Sequence, residues 1–157
     1  MLHLNVISLT ELCTLFVKDM IKSAYSRILN VGSTAGYQPV PRLAVYAASK
    51  SYVVSFSEAL HAELNDTGVS ATVLSPGPTE TGFRKRASMT DAKLGKNGEA
   101  DVDAVAKAGY EAMMQGKLYV IPGWKNKLLA FSTRIMPSRH AILAISDQVS
   151  RSTKGNK

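Results

Sequence analysis

Asn30-Val-Gly-Ser-Thr-Ala-Gly-Tyr-Gln-Pro-Val-Pro-Arg-Leu-Ala-Val-Tyr-Ala-Ala-Ser-Lys50 is the stretch around which the chain is organised. A short apolar run (Ile28, Leu29, Val31) leads into it and stops at Gly32, which predicts a buried strand over 27–31. Ser33 follows in a Gly-flanked turn. Gly36, Pro39 and Pro41 make 34–43 a loop. From about Leu43 the pattern turns helical and runs to Leu64. On that helix Tyr46 and Lys50 stand at i and i+4 and share a face. An ammonium beside a phenol favours the phenolate, and a phenol eased toward ionisation can give or take a proton. The stretch therefore reads as a proton-transfer site, with the Ser33 hydroxyl available to orient a substrate oxygen.

Upstream, residues 2–24 predict a helix. Leu9, Leu12, Cys13, Phe16 and Met20 recur at three- and four-residue steps, and Asn5 lies near the start. Downstream, Asn65-Asp-Thr-Gly68 stops the second helix. Val69–Leu74 is rich in β-branched residues between Gly68 and Pro76, a second buried strand. Ser75-Pro-Gly-Pro-Thr-Glu-Thr-Gly82 is turn chemistry leading toward a short helix, and 87–100 is polar and expected to be mobile. Asp101 is placed to cap a helix running to about Met114. A third strand is expected over 117–121, then two apolar-basic helices over 124–135 and 138–151, split by Pro137, and a frayed polar tail. Near-continuous apolar strands alternating with helices imply an α/β fold, a parallel sheet of about three strands covered on both faces.

The bulk composition is that of an ordinary globular protein, 45% hydrophobic and 20% charged over 157 residues. One cysteine, Cys13, excludes an internal disulfide and reads as a small core residue. No run is long and apolar enough for a membrane-spanning helix, and no signal peptide is expected. The net charge of +7 is concentrated in 125–157, which holds seven basic residues against Asp147 alone. A domain-wide nucleic-acid face is therefore not indicated. His3, His61 and His140 lack metal-ligand spacing, so no metal is expected.

Tyr-x-x-x-Lys alone is a weak signal. Its company carries more weight: Asn5, Ser33 thirteen residues before Tyr46, and the Pro76-Gly77 turn after the next strand. In that order these motifs resemble the carboxyl-terminal portion of a short-chain dehydrogenase/reductase, over roughly residues 1–123. The resemblance implies a partial Rossmann-type, doubly wound sheet and carbonyl/alcohol interconversion with NAD or NADP. It implies that Tyr46 is the general acid/base and that Lys50 assists it and holds the nicotinamide ribose. Ser33 would bond the substrate oxygen, and Asn5 would sustain a water-linked proton relay to Lys50. The cofactor contacts would be Tyr46, Lys50, Pro76, Gly77, Thr79 and Thr81.

One departure is large. The family cradles the pyrophosphate on a Gly-rich loop at a helix N-terminus, and this sequence contains no G-x-G-x-x-G. A truncated chain with impaired or no independent activity is expected, cytoplasmic, with the body of the domain in 1–123 and basic amphipathic helices in 124–157. Two other readings stand beside this one. The helices 2–24 and 43–64, which the family uses for dimer contacts, could make the chain a non-catalytic module pairing with a relative or a second copy. The segment 124–151, with Trp124, Leu128, Phe131 and Ile135 among basic residues, could lie on a membrane surface. Packing of these last helices over the sheet or the substrate cleft is the favoured reading of that segment.

Overall fold

The computed structural model describes residues 1–23, 25–81, 99–136 and 138–150. The short helix expected after Gly82, most of the polar 87–100 segment and the end of the tail lie outside the described residues. Helix α1 opens as a π-turn over His3–Ser8 and continues as a regular α-helix over Leu9–Lys22. Strand β1 is Ser26–Val31, followed by a single 3₁₀ turn, Thr34–Tyr37. Helix α2 is Ala44–Glu63, β2 is Val69–Leu74, and α3 is Val102–Met114. Strand β3 is Tyr119–Val120, and α4 (Trp124–Ile135) and α5 (Arg139–Ser150) complete the chain.

The three strands are parallel in the order β1-β2-β3. Ser26 pairs with Val69 and Val31 with Leu74 across β1 and β2. Alternation along the strands sends Ile28, Ala71 and Val73 to one face, where they meet α1 and α2. Leu29 and Leu74 point to the other face, against Gly109 of α3. The core is small and rich in valine: Val53, Val54 and Val73 form one cluster, and Leu64, Val69 and Ala71 another. Asn30 is buried among them, and its amide donates to Ser57 Oγ at 3.0 Å, so this polar side chain has a partner. Cys13 is buried against the same Asn30, and that burial pushes its thiol pKa up, as befits an inert core residue.

The second strand and the helix 124–135 match their sequence expectations residue for residue. Asp101 caps α3 as expected: its carboxylate accepts from Ala104 N at 2.9 Å. Two expectations change. Strand β3 has two ladder residues rather than 117–121, because only Val73 and Leu74 pair with it. Just before it, the Lys117 carbonyl is taken by the Thr72 hydroxyl at 2.6 Å instead of by a backbone N–H of β2. The buried stripe of α1 also differs. Leu9, Cys13, Val17 and Met20 face the fold, while Leu12 and Phe16 are 51% and 55% exposed. Leu15 is exposed beside them, so α1 carries apolar side chains on two faces and the sheet uses only one.

Candidate active site

Ser33 is fixed by the way β1 ends. Gly32 N donates to Leu74 O at 2.7 Å and Thr34 N donates to Pro76 O at 2.9 Å, so the chain through Ser33 continues the pairing with the segment after β2. This brings Ser33 beside the Pro76-Gly77 turn at the carboxyl edge of the sheet, where open parallel sheets bind ligands. Ser33 has extended backbone and caps the Thr34–Tyr37 turn, its Oγ accepting from Ala35 N at 3.1 Å. A hydroxyl that accepts one bond still has its own O–H to donate.

The Thr34–Tyr37 turn lies directly on α2. Ser51 Oγ donates to Gly36 O, and Gly36 sits against the Lys50 main chain. The small residues of α2 allow this approach, with Ala47 and Ser49 both buried. Lys50 is half-buried and reaches the end of β1, where its Nζ donates to Val31 O at 2.7 Å. The same Nζ stands 5.9 Å from the centre of the Tyr46 ring. Tyr46, in the first turns of α2, is half-buried. Ser33, Tyr46, Lys50 and Pro76 are therefore gathered by β1, α2 and the loop after β2.

Asn5 lies against α2. Its side-chain amide donates to Ser49 Oγ at 3.0 Å, and Ser49 Oγ donates in turn to Tyr46 O at 2.8 Å. Ser49 was not singled out from the sequence. Its position three residues after Tyr46 and one before Lys50 was the available signal. Asn126 was missed as well. It is half-buried, packs against Gly77, and its Nδ2 donates to Pro122 O at 2.8 Å. Thr79 turns inward, its hydroxyl donating to Gly77 O at 3.0 Å, and Thr81 is exposed at the end of the described segment. Among the described residues no cluster of His, Cys, Asp or Glu could hold a metal ion.

Burial lowers the pKa of Lys50 from its ordinary 10.5. Desolvation makes the ammonium costly in the fold at neutral pH. Above the depressed pKa the folded chain carries the neutral amine while the unfolded chain, up to pH 10.5, still holds the proton. The unfolded state then binds more protons, so the Lys50 contribution to stability rises with pH across that window and is level above it. Relative to Lys50→Met, the wild-type denaturation midpoint is expected to gain as pH climbs through the depressed Lys50 pKa toward 10.5. Parallel urea titrations of the two proteins check this, and a difference flat with pH would contradict it.

A model of the family described as short chain dehydrogenase matches residues 1–92, more than half of the chain. The chain belongs to this family. Among curated relatives, rat (Rattus norvegicus) 17-beta-hydroxysteroid dehydrogenase type 3 is 28% identical over 88% of the chain and 43% of the relative. The very-long-chain 3-oxoacyl-CoA reductase of Anas platyrhynchos is 30% identical over 85% of the chain and 43% of its own length. The chain thus spans less than half the length of these two relatives. Among solved structures, a short-chain dehydrogenase from Sphingobium yanoikuyae in complex with NADPH superposes with a TM-score of 0.71 at 24% identity, covering 99% of the chain and 58% of that structure. One from Burkholderia cenocepacia in complex with NADP gives 0.73 at 21% identity, covering 90% of the chain and 56% of that structure. At these identities the superpositions establish the fold: a Rossmann-like parallel sheet flanked by helices.

Proposed function

We propose that this chain carries the acid–base half of an NAD- or NADP-dependent oxidoreductase that interconverts a carbonyl and an alcohol. The observation that supports this most is the gathering of Ser33, Tyr46 and Lys50 at the carboxyl edge of β1 and β2, next to the Pro76-Gly77 turn. In carbonyl reduction the Tyr46 hydroxyl gives its proton to the substrate oxygen, and in oxidation it takes the proton back. The Lys50 ammonium beside the ring stabilises the phenolate left behind. The Ser33 O–H donates to the same oxygen and holds it within reach. Asn5 acts as a positioning residue, through Ser49 and the main chain of Tyr46.

A nicotinamide fits at this edge. Lys50 offers a cationic donor for a ribose at the end of β1, and the side-chain amide of Asn126, packed on Gly77, adds a polar group beside the turn after β2. When bound, the nicotinamide supplies or accepts the hydride, and the protein supplies position and electrostatics. The pyrophosphate end has no Gly-rich loop within this sequence to meet it.

The test has two arms. Calorimetry of the 157-residue chain with NADPH and with NADH is expected to show no micromolar binding, and micromolar binding would sink the half-site reading. Co-expression with a segment of a relative that carries the strand, Gly-rich loop and helix is expected to yield hydride transfer, read as nicotinamide absorbance. No activity across a panel of ketones would count against catalysis. The exposed Leu12, Leu15 and Phe16 of α1 favour a second reading, a module that pairs with a relative. That reading gains if the chain changes a full-length relative's activity equally with and without the Tyr46 hydroxyl.

A further inference from the structure

Helix α4 is arranged the opposite way round from a core-packing helix. Trp124, Leu128, Phe131 and Ile135, spaced four, three and four residues apart, form one face. They are 72%, 60%, 59% and 68% exposed. The small side of the helix is the one turned to the fold, with Ala130 buried and Asn126 on Gly77. Beside the large side chains lies a cleft of about 380 Å³, closed on its other side by Tyr37 of the 3₁₀ turn and by Tyr119 and Ile121 at the end of β3. Its size is within the roughly 300–1,000 Å³ of small-molecule sites, near the lower end. None of Asn5, Ser33, Tyr46 or Lys50 lines it, so it is separate from the proton-transfer site.

Charge narrows the ligand. The walls are aromatic and aliphatic apart from two cations, Lys127 and Arg134. The segment Trp124–Ile135 contains no Asp or Glu. Arg134 is offset by Glu58, 3.2 Å away on α2, and lies 5.8 Å from the centre of the Tyr37 ring. Among the described residues Lys127 has no carboxylate partner. The cleft thus combines an apolar trough with one positive charge that no described carboxylate offsets. That combination is complementary to a monoanion at the end of an apolar chain.

We propose that the cleft binds a single-chain fatty carboxylate of medium length. The chain lies along Trp124, Leu128 and Phe131, covering apolar surface that α4 otherwise leaves in water, and the carboxylate meets Lys127. This ligand is bound, not transformed, at this site.

Trp124 is the sole tryptophan, so its fluorescence reports on the cleft directly. The full chain is titrated with dodecanoate below its micelle-forming concentration, with dodecyltrimethylammonium as the chain-matched cation, and with phosphatidylglycerol vesicles. A saturable, one-to-one blue shift with dodecanoate is expected, and no comparable shift with the ammonium amphiphile. Lys127→Glu should weaken dodecanoate binding by about tenfold or more, and Lys127→Arg should retain it. Lys127 is exposed, so both variants are expected to keep the wild-type circular dichroism. Equal binding of the cationic amphiphile, or indifference to Lys127→Glu, overturns the proposal. A shift seen only with vesicles also overturns it, assigning the α4 face to a membrane surface instead. Absence of any dodecanoate response does the same.

Discussion

Tyr46→Phe is expected to lower turnover of the complemented enzyme by about 10²–10⁴-fold with little change in KM. The substitution removes one hydroxyl and nothing else. The ring stays in the first turns of α2, with the Lys50 ammonium 5.9 Å from its centre, so that contact survives. Binding that depends on the ring is kept, and proton delivery to the substrate oxygen is lost. Ser33 also caps the turn through Ala35, and Asn5 also anchors α1 to α2 through Ser49, so their alanine variants mix chemistry with structure. Single-turnover hydride transfer measures the effect. A Tyr46→Phe enzyme within threefold of wild type would remove Tyr46 from the acid–base role, whatever the motif implies.

The contrast between these residues shows what the sequence could and could not reveal. Val69–Leu74 was legible because a β-branched run between Gly68 and Pro76 has few alternatives as a buried parallel strand. The placing of Ser33 near Pro76 was legible too, since both follow strands of one parallel sheet and so open at the same edge. The two-sidedness of α1 was not. Leu9, Leu12, Cys13, Phe16 and Met20 fit one broad apolar stripe by spacing, and only packing shows that Leu12 and Phe16 turn away from the sheet. Asn5 illustrates the same limit at the site. Its residue type suggested a polar contact, but its partner, Ser49, lies 44 positions away and depends on how two helices cross. The α4 cleft was hidden for a related reason. Helical periodicity locates an apolar face but does not say whether the core or the solvent receives it.

Gly36→Ala is expected to destabilise the fold by about 1–3 kcal/mol and to cut activity of the complemented enzyme as well. Gly36 does not need a left-handed backbone, so the effect is one of space. A Cβ there would lie 2.7 Å from Lys50 O and 2.8 Å from Lys50 C. These are main-chain atoms in the middle of α2, and they cannot swing aside as a side chain could. The Thr34–Tyr37 turn must lift instead. Lifting it strains the Ser51 hydrogen bond to Gly36 O and moves the segment that Ser33 caps. Displacement of about 1 Å at a reacting group can cost on the order of 10²-fold in rate. The loss should therefore appear in kcat more than in KM. Gly116→Ala is the control: its positive φ of 64° makes alanine strained, but the nearest atom, Ser70 Oγ, is 3.5 Å from the new Cβ, and the position is on the turn before β3. That variant should lose stability while the surviving folded protein keeps its rate. Urea midpoints and kcat for both variants decide the matter. Equal midpoints for wild type and Gly36→Ala would mean that the turn does not rest on α2, and the placing of Ser33 relative to Tyr46 and Lys50 would fall with it.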